Sequence, residues 1–214
     1  MRPVDGMLCA SLFALLLMPL TGKTDILTID FESVPAGGCL NIGDSFTTQG
    51  FDFSTEGSNF FSCNSTRSDL PSNETNYVGS ESPSITTMAA TDGATFSLIS
   101  IDLAELFVGR EGYDDVRIDG ILLGGGTATS MFTLDGVNDG PGGEADFETF
   151  LLSGGFSNLT SIVLTATDSS NPRFSFDNIV VDTMMTTSVP EPGTLALLGV
   201  GLAGIGFARK RKTA

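Results

Sequence analysis

Phe174-Ser175-Phe176-Asp177-Asn178-Ile179-Val180-Val181 is the stretch that decides the fold. Aromatic and β-branched residues dominate it, and both favour an extended, half-buried backbone. Side chains alternate across a strand, so Phe174 and Phe176 share one face. Ile179 and Val181 have the opposite parity. All four reach one core only if the strand is irregular near Asp177-Asn178, as at a bulge that re-aims the chain.

The rest of the chain reads the same way. Candidate strands lie at 25–31, 45–54, 84–89, 94–101, 116–123, 127–134, 147–152, 161–166 and 173–181. Leu27, Ile29 and Phe31 share a face, as do Val116, Ile118 and Leu122, and Ile162, Leu164 and Ala166. Residues 103–108 fit a helical turn or a continued strand equally well. Gly, Ser, Thr, Asn and Asp separate these segments, and no long stretch between residues 24 and 184 has helical period. Many short strands with turn signals between them give an all-β fold, an antiparallel sandwich. With 16 Phe and no Trp, phenylalanine must supply the bulk of the core.

The carboxyl-terminal stretch follows different rules. Val189, Pro190, Glu191 and Pro192 precede an uncharged run at 193–208, and Arg209, Lys210, Arg211 and Lys212 follow it. The two prolines hold 189–192 extended and accessible. Thr194 is placed to cap a helix. The uncharged residues span about 24 Å as a helix, which basic stems and local thinning can match to a bilayer. The basic cluster keeps that end cytoplasmic and puts the preceding domain on the other side. Gly199, Gly201 and Gly204 match G-x-G-x-x-G, but no strand precedes them and no acid follows, so they are small residues of a membrane helix.

Signature, apolar helix and basic stop together resemble the PEP-CTERM protein-sorting tail. The resemblance implies an exported substrate of an exosortase, held at the inner membrane and then released by cleavage near the signature. The amino terminus agrees: Arg2 precedes an apolar run at 7–20 that fits a signal-peptide core. The expected organisation is a signal peptide at 1–22, a β-sandwich at 24–184, a linker with the signature at 185–194, a transmembrane helix at 195–208 and a basic end at 209–214.

Between the two targeting segments, four arginines face 24 acidic residues. Such a surface repels nucleic acid, which removes that class of partner, and it attracts divalent cations. The closing strand, together with Ile29-Asp30-Phe31-Glu32 and Gly50-Phe51-Asp52-Phe53, resembles jelly-roll domains of the galactose-binding, carbohydrate-binding-module type. That resemblance implies a structural Ca2+ joining the first and last strands, with Glu32 and Asp177 at the matching positions. Residue chemistry leaves another arrangement open, in which Asp177 bonds to neighbouring backbone and Glu32 is solvated. A second acidic segment, 135–146, partly fits an EF-hand loop. Its Val137 and flanking strands favour a Gly-rich hairpin loop instead.

Cys39 and Cys63 are the two cysteines downstream of the signal segment, and export makes a disulfide between them the expectation. Such a loop closure stabilises by about 3 kcal/mol in the chain-entropy model. Histidine is absent from the whole chain, which excludes His-assisted nucleophiles and His-ligated metal sites. Carboxylates are plentiful, yet no spacing singles out an acid–base pair. The sequence therefore reads as a non-catalytic surface or extracellular-matrix protein, with exopolysaccharide a candidate partner. The alternatives are a calcium-dependent carbohydrate-binding module and a glycoside-active enzyme.

Overall fold

Strands supply all of the regular structure among the described residues. The computed structural model describes residues 24–64, 69–81, 85–107, 115–138, 146–167 and 173–184. In chain order the strands are β1 (Thr24–Ile29), β2 (Gly38–Gly43), β3 (Ser45–Thr48), β4 (Phe51–Thr55), β5 (Phe60–Asn64), β6 (Tyr77–Ser80) and β7 (Ile85–Ala90). Then come β8 (Phe96–Glu105), β9 (Asp115–Leu122), β10 (Thr127–Thr133), β11 (Glu148–Leu151), β12 (Leu159–Ala166) and β13 (Phe174–Met184). The expected signal peptide at 1–22, the Pro-Glu-Pro signature, the apolar run at 195–208 and the basic end lie outside the described residues.

All pairings are antiparallel, and they form two layers. One runs β3-β4-β7-β12-β9-β10. The other runs β2-β5-β6-β13-β8-β11. Strand β1 lies beside the second half of β13, from Ile29↔Ile179 to Thr24↔Met184, continuing the side that β6 occupies along the first half. A single register pair, Leu159↔Phe96, at the first residues of β12 and β8, links the layers. The fold is thus an antiparallel β-sandwich, as the strand pattern implies, of the jelly-roll-like kind that the resemblance implies.

Apolar residues from both layers meet in one core. Phe53, Met88, Ile118, Ile162 and Leu164 from the first layer join Phe60, Val78, Leu103, Phe174 and Phe176 from the second. Phe176 sits among aromatic rings: Phe31 at 5.4 Å, Phe174 at 5.9 Å, Phe53 at 6.0 Å and Phe60 at 6.3 Å. Edge-to-face and offset geometries at these spacings add favourable ring contacts to the burial itself.

The parity change in β13 is present. Phe174, Phe176, Ile179 and Val181 are all fully buried in the core. Asn178 makes the switch with φ of +42°, in the left-handed region that Asn tolerates better than most residues. The register against β8 shifts at Asp177–Val181 and then returns to its starting value. That requires β8 to slip too, and its core positions change parity between Leu98 and Ile101. Two facing irregularities cancel, so the long pairing continues.

Two readings need correction, and one open alternative is decided. Residues 45–54 are not one strand but the hairpin β3–β4. Gln49 and Gly50 both have positive φ, 45° and 83°, as a two-residue turn of the I′ kind requires. The ambiguous run after Ile101 continues as strand through Glu105. Strands β2, β5 and β6 occupy segments that carried no strand expectation.

Candidate functional site

Asp177 is the most unusual carboxylate of the sandwich. It is fully buried at the β13 irregularity. Its Oδ1 accepts the Asn178 N–H at 2.8 Å. Its Oδ2 accepts from Asn73 Nδ2 at 2.5 Å and from Thr75 Oγ1 at 3.1 Å. Those donors are neutral, and burial outweighs them, pushing the carboxyl from its usual 3.8 up to about 7, with Asp102 nearby adding in the same direction. Asp102 is itself held by Asn178 Nδ2 at 2.9 Å and Thr149 Oγ1 at 2.6 Å.

Glu32 is linked to Asp177 through residues 73–76, and it lies in a different setting. Its residue is exposed, just after β1, and its Oε1 accepts the Asn76 N–H at 2.9 Å. Asn76 also donates through Nδ2 to the Val34 carbonyl at 3.3 Å. The 73–76 turn is therefore fastened to Asp177 at one end and to Glu32 at the other. It brings the two acids to one polar turn, with Asn and Thr side chains between them. Asp102, Asn73, Thr75 and Asn76 belong to this network, and sequence reading gave none of them a role in a site. Their signal is only a polar run, Ser72-Asn73-Glu74-Thr75-Asn76, that resembles any loop.

A second acidic group gathers where β8 ends. Glu105 Oε1 accepts the Gly136 N–H at 2.6 Å, and Glu148 Oε1 accepts the Asp135 N–H at 2.9 Å. Asp135 Oδ1 accepts the Val137 N–H at 2.8 Å, and Asn138 Nδ2 donates to the Glu105 carbonyl at 3.2 Å. Burial raises the Glu105 carboxyl above its ordinary range, and Asp135 and Glu148 raise it further. Burial likewise raises Glu148. Residues 139–145, the rest of the EF-hand-like segment, lie outside the described residues. Among the described residues, no three acidic, Cys or His side chains are gathered closely enough to hold a metal by themselves.

On the β2–β5–β6 edge, Cys39 and Cys63 face each other in register and are joined as a disulfide. A cavity of about 190 Å³ lies beside it, lined by Phe61, Leu70, Glu81, Leu106 and Phe107. Leu106 lies directly on the backbone of Gly79. A Cβ there would sit 2.5 Å from Leu106 Cδ1, so any larger residue at 79 requires the Leu106 side chain to shift. Arg173 places its guanidinium 5.2 Å from the centre of the Phe107 ring and pairs with Glu81 at 3.5 Å.

These features define an acidic, antiparallel β-sandwich stapled by one disulfide. Beyond it, residues 188–212 match the PEP-CTERM protein-sorting motif. The chain therefore carries that motif, which implies export and exosortase processing. No curated protein matches the sequence. Solved structures similar in fold include a DUF4465 family protein from Bacteroides caccae, 12% identical, covering 73% of this chain and 98% of its own, with a TM-score of 0.48. The family 11 carbohydrate-binding module from Clostridium thermocellum is 14% identical, covering 67% and 95%, with a TM-score of 0.37. A family 29 carbohydrate-binding module from Piromyces equi is 12% identical, covering 75% and 91%, with a TM-score of 0.33.

Proposed function

We propose that this is a non-catalytic surface or extracellular-matrix protein, delivered through the inner membrane and released by an exosortase. The observation that carries the reading is the sorting motif at 188–212, which begins a few residues after the last strand. The sandwich is then the cargo and the tail its removable anchor. A disulfide suits an oxidising compartment outside the cytoplasm. The lack of histidine narrows the chemistry that the cargo could perform.

The test has two arms. An alkaline phosphatase fused after Ser188 is expected to be active in the periplasm. Mass spectrometry of the released protein is expected to find a chain ending near Pro190. Released protein that retains Arg211, or a reporter confined to the cytosol, overturns the reading.

One observation favours a second reading, a Ca2+-dependent carbohydrate-binding module. Asp177 is a buried carboxylate met by neutral donors only, and Glu32 reaches the same turn. In that reading Ca2+ binds Glu32 and Asp177 and displaces the Asn73 and Thr75 donors. A glycan array that includes the producer's own exopolysaccharide, run with Ca2+ and with chelator, separates the two readings. Calcium-dependent retention supports the second, and uniform absence of binding supports the first.

A further inference from the structure

The inner end of β8 holds two oxygen acceptors that no donor meets. Glu105 is 8% exposed and Asn138 6% exposed, and Glu105 Oε2 and Asn138 Oδ1 are both buried without a hydrogen-bond partner. Buried polar atoms in folded proteins are almost always satisfied, so a pair of orphans calls for a ligand. The orientation of the Asn138 amide is not arbitrary. Its Nδ2 is committed to the Glu105 carbonyl, and a flipped amide would set oxygen against oxygen there.

Both orphans are acceptors, and their surroundings are anionic. Asp135 and Glu148 lie near enough to Glu105 to repel its charge. The backbone N–H groups of 135–137 already serve one oxygen on each of the three carboxylates. The described arginines are occupied elsewhere, Arg117 with Asp119 and Arg173 with Glu81. What such a place lacks is positive charge offered to oxygen.

We propose that Glu105 and Asn138 form the buried half of a Ca2+ site at the start of the 135–138 segment, with the Asp135 and Glu148 carboxylates supplying further charge from the solvent side. This is independent of the export reading and of a cation at Glu32 and Asp177. Calcium is the fitting ion because it accepts amide and backbone carbonyl oxygens beside carboxylates, in variable geometry. That matters here, since the acids alone do not form a close-set cluster. Mg2+ demands a tighter octahedron and keeps its waters, so it fits poorly. A proton on Glu105 or a water molecule at either orphan oxygen is the competing arrangement, and it leaves the protein indifferent to Ca2+.

The experiment is calorimetric titration of the full chain in mild detergent, stripped with EDTA and dialysed, with CaCl2. Wild type is expected to bind Ca2+ saturably. Glu105→Gln and Asn138→Ala are each expected to weaken that binding at least about tenfold, and Asp177→Asn to leave it in place. Circular dichroism checks that each variant is folded. Absence of saturable binding in wild type overturns the proposal. So does a folded Glu105→Gln or Asn138→Ala protein that binds like wild type, and so does loss of all binding in Asp177→Asn. If Glu105→Gln does not fold, Asn138→Ala and wild type still decide the question.

Discussion

At the scale of single residues, Asp177 sets the pH dependence that belongs to the sandwich. Its folded carboxyl titrates at about 7 against an ordinary 3.8. Below the lower value it is protonated whether the chain is folded or not. Between the two, the folded protein keeps a proton that the unfolded chain releases, so stability falls as pH climbs, and the loss is complete above about 7. The upper limit of that loss is about 4 kcal/mol at 1.36 kcal/mol per unit. The Asp177→Asn chain should lack this slope. Urea midpoints of both proteins at pH 4.5 and 7.5, with EDTA present, are the measurement. A wild type whose change with pH matches the variant's would show that Asp177 is not the source. The parity of Phe174, Phe176, Ile179 and Val181 made the irregularity at this residue readable from sequence. Its donors were not readable, because Asn73 and Thr75 lie over 100 positions away along the chain.

At the scale of elements, the disulfide holds the least apolar part of the second layer. Strand β2 is Gly38-Cys-Leu-Asn-Ile-Gly43 and has no fully buried residue. It sits at the layer's edge, hydrogen-bonded to β5. Crossing 24 positions of sequence, the Cys39–Cys63 bond should contribute about 3 kcal/mol in the chain-entropy model. The Cys39→Ser, Cys63→Ser double variant should therefore unfold at a lower denaturant concentration, with faster amide exchange in β2 and β5 first. Unchanged exchange in those strands would contradict this. The same elements show where sequence reading ends. Strands β1, β9 and β12 announce themselves by alternation, and β13 by its aromatic and β-branched residues. Strands β2, β5 and β6 are four to six residues long and mix Gly, Ser, Asn and Cys with a few apolar residues, so period two has no room to appear. The turn at Gln49-Gly50 was hidden because Gln is not among the residues that usually mark left-handed backbone. Glu105 escaped notice for a related reason: it ends a run whose pattern fits strand and helical turn alike.

At the scale of the whole molecule, charge is the dominant property. Four arginines against 24 acids between residues 24 and 188 leave a strong self-repulsion in the folded state. Added monovalent salt screens it, since the Debye length shortens from about 30 Å at 0.01 M to about 3 Å at 1 M. The melting temperature of the full chain should rise steadily as KCl is increased across that range. A flat or falling trend in calorimetry would mean that local ion pairs, not the net field, govern its electrostatics.

The pairing of β1 with β13 has a consequence for how the domain can be rebuilt. Thr24 and Met184 are register partners, so the polypeptide enters and leaves the sandwich at one spot. Antiparallel partners have Cα atoms about 5 Å apart, a gap that a few residues can bridge. Circularly permuted forms are thus geometrically open to this fold. The old termini can be sealed together and new ones cut at a turn such as Gln49-Gly50, with the strand order in both layers unchanged.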